Sequence, residues 1–486
     1  MKNVSKNIFL NAIVCPSLGW LFRSGEPIQQ LSEESLSLGE RFRMEQGAEI
    51  GNRARGLYPD GALVSQEGLY AAAEQTLNLI HDSSVSVLLE AAFLVDEYVT
   101  KADILKRKKG GWKLIEVKSS VNDRTEFLDD LAYTSMVISR AGYSISAASL
   151  MLISKAYRLG MGDEELFVQI GHTDDVLLRA EVLKAYWDQV RDQTAAPAMP
   201  EPELQLQCRK CPLFFDCLAK DIANHILEIP RLSQKKFDSL KQLGIVRMED
   251  IPPTFELTPY QATVRNCVVT RKPWASKELK RELEAITWPA FYLDFETVMT
   301  AIPLYPDIAP YTQIPTQYSI HKCSDVGKVI AHREFLSDPS KDRRRELAEN
   351  LIRDLETMGS IITYSNFEKV TVNSLVQLYP DLSDSLGPLV DRMVDLGAII
   401  RQNFYHPDFH GSTSVKVTLP VLVPDMSYGD LEIADGDSAS AAFAYLALGR
   451  YESEVEIEAV KRNLLDYCAR DSMAMVKLHE RLCAWE

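Results

Sequence analysis

"FYLDFET" (residues 291–297) decides how the second half of the chain is read. It is an apolar strand that carries two carboxylates, Asp294 and Glu296. In a strand, residues two apart point to the same side, so both acids face one way. The run is otherwise suited to burial, and charge in a buried strand requires a metal or polar partners. A functional reading is therefore preferred to a solvated face.

Working outward, "SIITYSNFEKVTVNSL" (360–375) reads as a strand leading into a helix, with Asn366 and Glu368 at the junction. "LLDYCARDSMAMVKLHERL" (464–482) reads as a helix that sets Tyr467 and Asp471, four apart, on one face. Two metal ions about 4 Å apart need several carboxylates and stabilise both the attacking and the leaving oxygen. Asp294, Glu296, Glu368 and Asp471 supply that set, and Tyr467 is placed to position the attacking water. Asp391 and Asp395 lie nearby, and Asp395 reads better as a capping residue. His321, His406 and His410 are single polar positions with little claim to be ligands.

The first half carries a second constellation in "LIEVKSS" (114–120). Glu116 and Lys118 share a strand face. Asp103 lies on the preceding strand of a hairpin signalled by Gly110-Gly111. Two carboxylates can hold Mg²⁺ or Mn²⁺, hard ions that prefer oxygen, and the lysine offsets phosphate charge. Bare, the pattern is weak, because Glu and Lys on one strand face are more often an exposed ion pair. Glu90 on an upstream strand offers a further carboxylate, and Asp129 and Tyr133 share a face of the following helix.

"CRKCPLFFDC" (208–217) places Cys208, Cys211 and Cys217 in ten positions. Eight cysteines in 486 residues do not make a disulfide scaffold, and a tight cysteine group in a reducing compartment more often binds metal. Zinc, an iron–sulfur cluster and unrelated buried cysteines are the alternatives, the last fitting poorly.

The length predicts about three domains. Breaks at "AAPAMPEPE" (195–203) and "DIPPTFELTP" (250–259) give regions of roughly 1–227, 228–285 and 286–486. The fold class is α/β: mixed strands and helices in the first region, a helical connector, and a second sheet. Helix is expected over 31–57 and 124–141. Strands are expected over 84–95, 98–108, 112–120, 145–154 and 166–172. In the connector, Leu232, Phe237, Leu240 and Leu243 are spaced for one helix face that Gly244 ends. Such a helical module touches DNA backbone or acts as a packing spacer.

The formal net charge is -16, which argues against gross adhesion to nucleic acid but not against a local basic groove. "KRKK" (106–109), "RKPWASKELKRE" (271–282) and "KDRRR" (341–345) are basic runs that each read first as solvated surface. No apolar run approaches the roughly 20 residues of a membrane span. The first fifteen residues lack a small residue before Cys15 and are read as a mature helix, so a cytoplasmic location is expected. No P-loop stretch is present, so any helicase is a separate partner.

The Asp103…Glu116-x-Lys118 core resembles the PD-(D/E)xK nuclease fold of the RecB type. A subgroup of that family carries one N-terminal cysteine and a later C-x2-C-x5-C set that ligate a 4Fe-4S cluster. The resemblance implies Cys15, Cys208, Cys211 and Cys217 as ligands, a crosslink that stabilises the fold by about 5 kcal/mol on the loop-entropy model. Where members have a histidine and a glutamine on two helices, this chain has Gly51 and Asp129. Residues 290–482 resemble the DnaQ-like, RNase H-fold 3′–5′ exonucleases, with Glu368 where the family normally has Asp. The order of the two halves, with "LDFET", "IPTQYSIH" (314–321) and "VKVTLPVLVPDMSY" (415–428), is similar to a family of uncharacterised bacterial proteins. The expectation is a metal-dependent nuclease acting on DNA in preference to RNA, exonucleolytic on single strands or ends. One active half, with the first favoured, or a nucleic-acid-binding module with degenerate centres are the alternatives.

Overall fold

The computed structural model describes residues 2–25 and 36–485, so residues 31–35 of the expected first long helix lie outside the described residues. The chain divides into two compact units. One is Met1–Glu203 with Met299–Thr312, and the other is Leu204–Val298 with Gln313–Glu486. The division falls at 203/204, short of the 227/228 boundary read from the sequence. The connector is no separate body. Its Leu232, Phe237, Leu240, Met248 and Val264 share one apolar cluster with Tyr292, Ile362 and Met475. Leu243, expected on that buried face, is exposed, and Gly244 at φ +70° ends the helix Gln234–Gln242.

Among the described residues the first unit holds a six-stranded sheet in sequential order. Its strands are β1 (Ala62–Leu63), β2 (Val87–Val95), β3 (Tyr98–Lys108), β4 (Gly111–Lys118), β5 (Ile145–Ile153) and β6 (Phe167–Gly171). β2, β3 and β4 are successive antiparallel neighbours, and β4 runs parallel to β5. A parallel pair needs a crossover, and the helix Thr125–Arg140 supplies it, burying Leu131, Met136 and Val137. The helix Leu38–Gly56 begins at a capping box in which Ser37 and Glu40 satisfy each other's end of the turn.

The second unit has a short ribbon of β7 (Trp274–Ala275) with β13 (Phe404–Tyr405). Its main sheet consists of β8 (Ala290–Val298), β9 (Ile314–Cys323), β10 (Val329–Leu336), β11 (Ile361–Thr363) and β12 (Met393–Asp395), in the order β10-β9-β8-β11-β12. β9 is antiparallel to β8 and β10, whereas β11 is parallel to β8 and β12. The two-residue period of β8 sorts its side chains as expected. Phe291, Leu293 and Phe295 pack with Leu347, Leu351 and Val372 on one face. Tyr292 packs on the other, with Met475 and Leu478 of the long helix Glu454–Cys483. Asp294 and Glu296 therefore project toward that helix.

Gly359, at φ +89° just before β11, permits β11 to lie beside β8. A Cβ there would sit 1.8 Å from the Pro289 carbonyl oxygen. Gly359→Ala combines a disfavoured backbone with a main-chain clash and should cost about 3 kcal/mol. It should lower the melting temperature by several degrees, and an unchanged melt would remove this explanation of the turn.

Candidate metal centre

In the second unit Asp294 and Glu296 come from β8 and Asp471 from the helix Glu454–Cys483. One carboxylate oxygen of each lies within 4.8 Å of the others. Among the described residues no other group of three His, Cys, Asp or Glu side chains gathers in this way. All three are partly buried, and none forms an ion pair among the described residues. Burial, and then the charges of Asp471, Glu296 and Glu368, push the Asp294 carboxyl well above the usual carboxylate range. Glu296 is raised in the same way by burial and then by Asp471, with Lys416 opposing. Like charges held together in a desolvated site cannot all ionise unless a cation joins them. The donor set is entirely oxygen, which fits Mg²⁺ or Mn²⁺.

Other expected members are present with altered roles. Glu368, on the helix Phe367–Leu378, is buried and accepts from the Ser365 hydroxyl at 3.3 Å. Burial pushes its carboxyl up to about 7. It acts electrostatically on Asp294 and Glu296 but stands outside the close trio. Tyr467 is buried, and burial, then the charge of Asp471, pushes its phenol up. It stands beside Asp471 and Glu296, where the sequence reading sets it to position a water. Asp395 caps the helix Leu396–Asn403, accepting from the Ala398 amide at 2.7 Å.

Three neighbours went unseen in the sequence. The Tyr428 hydroxyl also donates to Asp471. Cys468 places its thiol 3.4 Å from Asp294 Oδ2. Gly436 opens the helix Gly436–Ala447 beside Glu296, where a Cβ would make an ordinary contact with Oε2 at 3.7 Å. Tyr428 lies in the stretch 415–428 that the family resemblance had already drawn attention to, but nothing in its local pattern marks it. Hydrogen bonds to charged groups are worth about 1.5–3 kcal/mol. Tyr428→Phe should therefore weaken Mn²⁺ binding roughly tenfold, measured by calorimetric titration, and an unchanged affinity would show that Asp471 is oriented without it.

The histidines are engaged locally. His321 Nδ1 bonds the Ser472 hydroxyl at 2.8 Å, His406 Nδ1 accepts from the Asp408 amide at 3.2 Å, and His410 pairs with Glu228 at 2.9 Å.

In the first unit, Leu89↔Ile104, Ala91↔Ala102 and Ile104↔Ile115 set the register of β2, β3 and β4. Carried one position further, the β3–β4 register sets Asp103 opposite Glu116, while Glu90, at φ +58°, falls in a gap of the β2–β3 pairing. Asp103 accepts from the Val117 amide at 2.8 Å, and burial, then Glu116, pushes its carboxyl up to about 7. Glu90 and Asp103 line a cavity of about 470 Å³ with Gly51 and Lys101. Unlike the trio, two of these acids, Glu116 and Glu90, are answered by cations. Glu116 Oε1 receives Lys118 at 3.0 Å and Lys6 at 2.9 Å. Glu90 pairs with Arg55 and with Lys101, the latter at 2.6 Å. Glu116 Oε2, however, is buried without a partner.

Three residues of the crossover helix have defined partners. Asp129 turns to Arg179, while Asp130 reaches Lys118. Tyr133 is a core residue whose hydroxyl donates to the Val4 carbonyl at 2.7 Å. A step of one residue rotates the side chain by about 100° around a helix, enough to exchange the two acids' partners. Lys6, missed by the sequence reading, belongs to this cluster.

Cys15 belongs to the first unit, at the extended residue between the helices Lys6–Val14 and Pro16–Ser24. Cys208, Cys211 and Cys217 belong to the second, in consecutive turns: the Cys211 amide donates to the Cys208 carbonyl at 3.0 Å, and the Cys217 amide to Leu213 at 2.9 Å. Among the described residues the three sulfurs are not gathered to single-ion spacing.

Residues 291–414 match the family described as a domain of unknown function, DUF2779. The match begins in β8 and carries Asp294, Glu296 and Glu368, but ends before Lys416, Tyr428, Tyr467 and Asp471. No curated protein matches the chain. Among the described residues, no helix is long and apolar enough to cross a membrane.

Proposed function

We propose that this chain is a divalent-metal-dependent nuclease whose leading centre is Asp294, Glu296 and Asp471. The observation that carries the reading is the close approach of those three carboxylates with no ion-pair partner among the described residues. The sheet order, with β8 central, its second strand antiparallel and the next two parallel, supports an RNase H-like, DnaQ-type domain as a fold-level analogy. A bound Mg²⁺ or Mn²⁺ supplies an activated water and offsets charge on a phosphodiester. Asp294, Glu296 and Asp471 would hold the ion. Tyr428 fixes the Asp471 carboxylate through its hydroxyl, and Tyr467 lies beside the trio. Glu368, poised near neutrality, is the side chain best suited to take or release a proton at its carboxyl oxygen. The products are a 3′-hydroxyl and a 5′-phosphate, and DNA ends or single strands are the preferred substrate.

The first unit supports a second, PD-(D/E)xK-type centre through one observation, the orphaned Glu116 Oε2 beside Asp103. Its Glu116 and Glu90 are paired with Lys6, Lys118, Arg55 and Lys101, so we give the leading role to the second unit, where the sequence reading favoured the first. Cys208, Cys211 and Cys217 offer thiolates suited to a 4Fe-4S cluster or to zinc. Iron and sulfide analysis of anaerobically purified protein distinguishes the two.

The function is tested by assaying the purified chain on 5′- and 3′-labelled DNA and RNA with Mg²⁺ or Mn²⁺. Lys118→Ala and Asp294→Asn assign any activity to one centre or the other. Absence of cleavage with either metal on every substrate would leave a nucleic-acid-binding role in its place.

A further inference from the structure

The second unit contains a cleft of about 750 Å³ that the metal centre does not use. It is lined by Arg231, Arg401, Tyr260, Trp274, Thr263 and Thr413. Among the described residues neither arginine has an ion-pair partner, in a chain whose formal net charge is -16. Burial pushes the Tyr260 phenol up, while the Arg401 and then the Arg231 guanidinium act against that, so both charges converge on one ring. The arginines also differ from ordinary surface cations in how one of them is held. Arg231 has φ +51°, a conformation that a long side chain rarely adopts. The buried Gln261 fixes it, donating its amide to the Pro230 carbonyl at 2.9 Å and to the Arg231 carbonyl at 3.3 Å. The aromatic part of the lining is equally defined. Trp274 is paired in register with Tyr405, whose ring meets Tyr260 edge-on at 6.3 Å.

The geometry points to a binding site for single-stranded nucleic acid in this cleft, with a base against Tyr260 and Trp274 and phosphate on Arg231 and Arg401. Each part of the cleft answers one part of that ligand. Guanidiniums match phosphate oxygens in two-pronged fashion. Aromatic faces stack any base, which gives affinity with little sequence preference. The Thr263 and Thr413 hydroxyls add polar contacts at the rim. The choice of ligand rests on the nuclease reading and deepens it, by naming where a strand is held away from the carboxylates.

The test is equilibrium binding of a short fluorescein-labelled oligothymidylate to the full chain in EDTA, where no metal-dependent cleavage can occur. Binding should weaken at least tenfold in Arg231→Gln/Arg401→Gln. Loss of two phosphate contacts on a single strand should also reduce the slope of log affinity against log salt by about 1.4. Arg231→Lys/Arg401→Lys should retain the slope while binding less tightly, because charge is kept and the fork is lost. Tyr260→Ala should cost at least about fivefold, the scale of one stacked base. Competition by thymidine 5′-monophosphate would mark a site for a terminal nucleotide, and competition by oligonucleotide alone a site for internal phosphodiesters. Either result upholds the proposal. Wild-type protein that does not bind, a glutamine variant with unchanged affinity and slope, or displacement by inorganic phosphate as effective as by nucleotide would overturn it. None of these results depends on Asp294, so the cleft and the metal centre can fail separately.

Discussion

Asp294→Asn should reduce Mn²⁺-dependent DNA hydrolysis by at least about 10³-fold, equivalent to roughly 4 kcal/mol of transition-state stabilisation. The substitution is nearly isosteric. It keeps an oxygen for the Cys468 thiol, which lies 3.4 Å from Oδ2. What it removes is negative charge at the point where β8 faces the long helix. Glu296→Gln and Asp471→Asn should act similarly and should not add to Asp294→Asn, because residues that act as a unit are strongly non-additive. Lys118→Ala should leave this activity in place, since Lys118 belongs to the other unit. If the two variants were affected in the opposite sense, the first unit would be the working centre.

The second large effect concerns stability, and its sign can be derived. Asp294, Glu296 and Asp471 have folded-state pKa values raised above the ordinary carboxylate range, in each case first by burial. Glu368, raised to about 7, is the clearest case. The folded protein therefore holds protons that the unfolded chain has released. Such groups support folding fully below the unfolded pKa, and that support fades as pH rises through the folded pKa. For Glu368 the window runs from about 4 to about 7, and the contribution is on the order of 3 kcal/mol. In EDTA, Asp294→Asn should thus be more stable than wild type at pH 8, and the advantage should vanish near pH 4. Mn²⁺ should reverse the order. A hundredfold excess over the dissociation constant stabilises by about 2.7 kcal/mol. It should do so more at pH 8 than at pH 6, because the carboxylates must lose protons to bind the ion. Thermal melts of both proteins at the two pH values, with EDTA and with Mn²⁺, measure this directly. Equal metal effects in wild type and variant would place any bound ion elsewhere.

How far the site could be read in advance follows from the range of each signal. The two-residue period of β8 was enough to place Asp294 and Glu296 on one face, and helical spacing joined Tyr467 to Asp471. The Gly110-Gly111 hairpin was enough to bring Asp103 toward Glu116. Asp130, not singled out in the sequence, is the acid of this helix that reaches Lys118, because a helix rotates by about 100° per residue and neighbouring acids find different partners. Tyr428 was not assigned because its contact with Asp471 spans 43 residues and starts from a segment without periodicity. Lys6 reaches Glu116 across 110 residues, and no local pattern announces that. The connector was left open between a DNA-touching module and a packing spacer, and its apolar face packs into the second unit's core through Phe237 and Met248. The excursion Met299–Thr312, assigned to the first unit although it joins β8 to β9, is a tertiary fact with no local signature.

The central claim, that Asp294, Glu296 and Asp471 together hold a divalent cation, is tested most directly by calorimetric titration of Mn²⁺ into metal-free protein at pH 8. The measurement is made on wild type, Asp294→Asn and Asp471→Asn, with folding checked by circular dichroism. The prediction is saturable binding by wild type that is lost or weakened at least a hundredfold in each folded variant. Binding of equal affinity and stoichiometry in all three proteins, or none in wild type at millimolar Mn²⁺, would contradict it.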